Sequence, residues 1–365
     1  MPRVSDFLGR FRPAGDSRVD EKWVDEKADR RTGGRGGAGQ ASVRWAAGSM
    51  LSRALPTRRL GSAGARELAA SASLEDAVRM LIHSPYGRFV RSADSLAAAR
   101  RGVTATLLWN LRLLARWLPD DGVDLLRLLA GGFELANIDE RVRALARPGK
   151  PAQPPLPLGT LATAWPRLAG AASLSELRAV LARSPWGDPG GDSPYEMSLG
   201  LRLSWADRVA AGVAPARPWA AGAVALLVAR DRSIRPERLP ESAARRLDHL
   251  LGRFWFRTAS VTELAEAVPA AAWVLGGVRD PADLRRAEAR WWARLRTDGA
   301  ELLAVPGFGP RPAIGAAALL AVDAWLVRAA LDEAARRDRY TGGQTRADRS
   351  EDADSVAAEV LYELA

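Results

Sequence analysis

The sequence predicts an all-α protein made of three tandem, pseudo-repeated helical units. Three observations carry this. From Trp45 onward, Leu, Ala, Arg and Glu recur at three-to-four spacing, with few β-branched runs. The phrase SLEDAVRMLIHSPYG (73–87) returns as SLSELRAVLARSPWG (173–187) without a gap. Proline and glycine gather at 148–159, 185–194 and 306–312, which read as loops.

The chain opens with an extension, 1–43. It holds the charge-alternating VDEKWVDEK and the glycine-rich TGGRGGAGQ. No apolar strand precedes those glycines, so they predict a flexible linker and not a phosphate-binding loop. Unit one spans 44–150, unit two 151–240 and unit three 241–335. The polar stretch RRDRYTGGQTRADRSEDAD begins a tether, 336–365, that ends in a short amphipathic helix over 355–364.

The repeat is the strongest signal. Aligning 68–87 with 168–187 gives nine identities in twenty positions. Each copy describes one helix with defined ends. Ser73 and Ser173 stand at N-cap positions, with Asp76 and Glu176 three residues on as in a capping box. Leu74, Val78 and Leu81 share one face, as do Leu174, Leu177 and Leu181. Ser-Pro then stops the helix, because proline restricts the residue before it and lacks an amide to donate. Tyr86 or Trp186 follows as a packing anchor. A degraded third copy keeps Ser260, Glu263, Leu264, Val268 and Trp273 but loses Ser-Pro. Downstream of each copy lies Trp-x-x-Arg: Trp109 with Arg112, Trp205 with Arg208, Trp291 with Arg294. Such pairs suit either a cation–π ligand cage or a packed tryptophan beside an arginine that bridges helices; packing is the plainer reading.

Composition bounds the chemistry. The 365 residues contain no cysteine and two histidines, His83 and His249, which excludes disulfides, thiolate catalysis and histidine-rich metal sites. Net charge is +10, almost all of it arginine. The arginines alternate with Asp and Glu and form no runs, which argues against a nucleic-acid partner. The N-terminus is charged throughout and does not read as a signal peptide. The stretch AIGAAALLAVDAWLVRAAL (313–331) is long enough to span a bilayer, but Asp323 and Arg328 would each cost about 2.5–3.5 kcal/mol there, so it reads as a buried core helix. No Walker loop, GxSxG or HExxH occurs. Glu134 and Asn137, in GGFELANIDERV, lie on an otherwise apolar flank that leaves them partly buried and hydrogen-bonded; between a ligand site and a polar pair that fixes helix register, the polar pair is the plainer reading. No catalytic residue, cofactor, metal or small-molecule substrate is expected.

Three phrases, in order, resemble the C subunit of V-type rotary ATPases, called d in the eukaryotic enzymes. They are RELAASASLEDAVRMLIHSPYG (66–87), LLRLLAGGFELANIDERVRAL (125–145, with Glu134-x-x-Asn137 where that family often has Asp-x-x-Asn) and RPAIGAAALLAVDAWLVRAAL (311–331). The resemblance covers roughly 44–335, and it implies three units standing around an axis as a funnel-like bundle. The funnel would sit on the cytoplasmic face of the membrane, peripherally. It would join the D- and F-type central-stalk subunits to the proteolipid ring and transmit torque for proton or sodium transport. Arg112, Arg208, Arg294, Glu134 and Asn137 are the candidate interface or repeat-equivalent residues. The alternative is a helical-repeat interaction scaffold unrelated to rotary motors.

Overall fold

The computed structural model describes residues 36–149, 153–231, 239–258, 260–268 and 273–341. Among these every regular element is a helix, so the chain is all-α. Most of the expected N-terminal extension and the 355–364 helix lie outside the described residues. In order the α-helices are α1 (Gly36–Ala54), α2 (Gly61–Ala69), α3 (Leu74–Ile82), α4 (Leu96–Ala115), α5 (Asp120–Leu129), α6 (Gly131–Ala146), α7 (Trp165–Leu168), α8 (Leu174–Ala182), α9 (Pro194–Gly212), α10 (Arg217–Arg230), α11 (Glu241–Leu251), α12 (Val261–Ala267), α13 (Leu284–Ala304) and α14 (Pro310–Thr341).

Both ends differ from expectation. Helix α1 begins at Gly36, inside the stretch read as a flexible linker. Interior glycine costs about 1 kcal/mol relative to alanine, and the packed half of the helix, where Ser49 and Ser52 are buried, carries it through. Helix α14 runs to Thr341, six residues past the expected end of unit three at 335. Its last turns still find partners on unit one: the Leu74 amide donates to Asp338 Oδ2 at 3.4 Å.

The repeated phrase folds alike each time. Ser73, Ser173 and Ser260 are extended N-caps whose side chains each accept from the amide three residues on, at 3.1 Å in all three copies. The Ser-Pro stops also coincide. Ser84 and Ser184 donate to the carbonyls of Leu81 and Leu181 at 2.7 Å, and accept from the amides of Tyr86 and Trp186 at 3.1 Å. Tyr86 and Trp186 are then buried as anchors.

Three apolar cores result, and they do not follow the sequence units. One joins α2 to α5 with the face of α14 that carries Ala316, Leu320, Ala324 and Leu331. A smaller one gathers Leu135 and Ile138 of α6 around Leu177, Leu181 and Trp186 of unit two. The third unites α9 to α13 and the remaining face of α14. Thus α6, the last helix of unit one, packs into unit two, while α14, the last helix of unit three, packs onto unit one. Both are apolar on more than one flank and need a neighbour on each. Helix α14 is long and apolar enough over Pro310–Arg339 to cross a membrane, yet 78% of its most apolar window is buried inside the protein.

Candidate functional site

Glu134, Asn137 and Arg112 meet the connection into unit two, while Arg208 and Arg294 stack within their own units beside the tryptophans that close each seam. Glu134 is fully buried on α6. Its carboxylate accepts from three successive amides that open α7: Thr163 at 3.0 Å, Ala164 at 2.6 Å and Trp165 at 2.5 Å. A carboxylate at a helix start satisfies amides that the helix itself cannot. One turn on, Asn137 pairs with the backbone of Leu156, accepting at 2.7 Å and donating at 3.1 Å. Arg127 donates to the Thr160 carbonyl at 2.9 Å, and Glu140 accepts from the Gln153 amide at 2.8 Å. The connection is therefore strapped to unit one at Gln153, Leu156 and Thr160.

Arg208 stacks over the Trp186 ring at 5.2 Å. Burial pulls its pKa down, and the charge of Glu134 works against that fall. Trp205 donates its indole N–H to the Leu128 carbonyl at 2.8 Å. Its ring lies where a side chain on Gly131 would be, with Cδ1 2.7 Å from the position of a Cβ. The next seam reuses the parts. Arg294 stacks over Trp273 at 5.4 Å. Trp291 donates to the Trp219 carbonyl at 2.8 Å. Trp273 and Trp291 both press on Gly222, at 2.4 and 3.0 Å from its Cβ position. Asp298 accepts from both Arg294 and the Trp219 indole at 2.8 Å. So the arginine of each later Trp-x-x-Arg stacks on the tryptophan of the repeated phrase, not on its own. Each glycine is the seat for the next unit's two tryptophans. Arg112 departs from this scheme: its side chain lies against Gly159 of the connection, with Cδ 3.0 Å from the Cβ position there.

The last helix completes a parallel set. Asp323 of α14 is buried. It accepts from the amides of Leu60 and Gly61, at 3.1 and 2.7 Å, at the start of α2. It also accepts from the Tyr86 hydroxyl at 2.7 Å. These are the N-cap and first-turn amides of the helix before the repeated phrase, the same amides that Glu134 holds in unit two. Five residues beyond Asp323, Arg328 reaches Thr104 at 3.1 Å. Five residues beyond Glu134, Asp139 pairs with Arg202 at 2.7 Å. Thr104 and Arg202 each lie nine residues beyond the N-cap serine of their helix, Ser95 and Ser193. Two positions thus correspond: Asp323 and Arg328 meet unit one where Glu134 and Asp139 meet unit two, while Asn137 has the apolar Leu326 as its counterpart and no partner of Glu134 matches the Tyr86 hydroxyl.

Two surface grooves, of about 560 and 350 Å³, meet at Trp273 and Arg294. Arg290, Thr297 and Glu301 line the first; Arg217, His249 and Leu250 line the second. His249 holds Asp207 at 2.6 Å. Among the described residues no group of three or more His, Cys, Asp or Glu side chains could hold a metal ion. What these groups do is join helices. Sequence reasoning located Glu134, Asn137 and the Trp-x-x-Arg pairs but missed Asp323 as a clasp and Gly131 and Gly222 as seats. A glycine inside a helical pattern was the available signal for the seats. No protein-family model and no curated protein matches the chain.

Proposed function

We propose that this chain is the non-catalytic central-rotor subunit of a V-type rotary ATPase or synthase. It is the socket that joins D- and F-type stalk subunits to the proteolipid ring on the cytoplasmic face of the membrane. The observation that carries this reading is the recurrence of the Glu134 clasp as the Asp323 clasp. A linear stack of repeats leaves its first and last faces bare. Here Asp323 and Arg328 of the last helix grip the first unit at the positions where Glu134 and Asp139 of α6 grip unit two. That favours three like units arranged about an axis, as a funnel needs. The dense seams also suit torque: a part that transmits rotation must resist shear between its units, and tryptophans seated on glycine with buried ionic clasps give little room to slide.

The test is to purify the chain with the stalk subunits encoded nearest to it and mix them at micromolar concentration. One-to-one co-elution in size exclusion is the expected result. A folded chain that elutes alone overturns the stalk contact and favours an unrelated helical-repeat scaffold.

A further inference from the structure

One surface feature takes no part in any seam. Helix α11 ends at Gly252, whose φ of +85° turns the chain out. The next five residues read Arg-Phe-Trp-Phe-Arg, 253–257. Trp255 is the anchor: it is 4% exposed and its indole donates to Asp248 Oδ1 at 3.0 Å. A short 3-10 turn, Trp255–Arg257, and the Thr258 hydroxyl on the Trp255 carbonyl at 2.8 Å fix the knuckle. Its neighbours face outward. Phe254 is 56% and Phe256 47% exposed, and Arg253 and Arg257 are exposed as well. The Arg257 guanidinium lies 5.6 Å from the centroid of each phenylalanine ring.

We propose that this knuckle is a contact for an anionic lipid surface. Two aromatic rings held out by a buried anchor, with the Arg257 guanidinium against both and Arg253 exposed next to them in the chain, match the boundary between acyl chains and headgroups. Rings enter the apolar side, while arginine meets phosphate. Single-stranded nucleic acid also takes arginine and aromatic rings, but it needs a charged groove that tracks its backbone. Residues 253–257 line neither of the grooves at Trp273. The inference does not rest on the coupling role, since a vesicle carries neither stalk nor ring.

The experiment is flotation of the full chain with phosphatidylcholine vesicles, with and without phosphatidylglycerol. Binding is expected only to the anionic vesicles. Arg253→Gln with Arg257→Gln, and separately Phe254→Ser with Phe256→Ser, should each weaken it about tenfold or more. The control pair Arg286→Gln with Arg336→Gln should change it less than about twofold. Circular dichroism checks that every variant is folded. Equal binding to neutral vesicles, none to anionic ones, or equal loss in the control pair overturns the proposal. So does binding of single-stranded oligonucleotide that the same substitutions abolish while the vesicles stay unbound.

Discussion

Glu134 and Asp323 show how much a single buried carboxylate can organise when its partners are backbone amides. Neither makes its contacts within its own helix; each opens a helix that belongs to the neighbouring unit. Replacing either by alanine strands amides that have no other acceptor among the described residues. Glu134→Ala and Asp323→Ala are each expected to cost about 3 kcal/mol, read as a lower urea midpoint. An unchanged midpoint would mean that the clasp holds nothing. Glu288 on α13 behaves in the opposite sense. It is buried with Arg230 Nη2 4.0 Å away, and burial raises its pKa above the usual 4.5 while pulling Arg230 down to about 10. A carboxyl raised in the folded state favours folding below its unfolded pKa, and that advantage is lost as pH rises through the folded value. Glu288→Gln should therefore gain stability relative to the parent chain as pH rises above the usual carboxylate range. A difference that stays flat with pH would contradict the assignment.

At the scale of the element, the repeated phrase acts through its ends. The three N-cap serines have the same backbone geometry, so the same substitution should have the same effect. Ser73→Ala, Ser173→Ala and Ser260→Ala are each expected to cost about 1 kcal/mol in chemical denaturation. An effect in the first two alone would set the third copy apart. These ends were readable beforehand because a cap is local: serine, the acidic residue three on and the proline stop all lie within fifteen residues. The start of α1 and the reach of α14 were not readable, because packing against distant helices overrode glycine and charge. Glu134 reads from the sequence as half of a polar pair that fixes helix register; in the structure it is fully buried and its contacts lie on the next unit. Its partners were invisible, since Thr163 to Trp165 lie about thirty residues away and nothing in their side chains marks the contact. Each Trp-x-x-Arg was visible as a pair, yet each later arginine stacks on a tryptophan outside the pair.

For the molecule as a whole, the seams decide whether three units behave as one body. Gly131 and Gly222 are the places where adding one methyl group tests this most cleanly. The new carbon would meet an indole at 2.7 or 2.4 Å, closer than packed atoms approach. Gly131→Ala and Gly222→Ala should each destabilise by about 1–3 kcal/mol, seen as a lower thermal midpoint. A midpoint at or above that of the parent chain would mean that the seam yields without strain. The α14 contacts make the same demand on the join between unit three and unit one, and the coupling role depends on that join. The most direct measurement is an electron cryo-microscopy map of the chain bound to its stalk subunits. The account predicts the stalk tip inside the space enclosed by the three units, with α14 still clasped to unit one through Asp323. A stalk seated on the outer surface, or an α14 released from unit one, would contradict it.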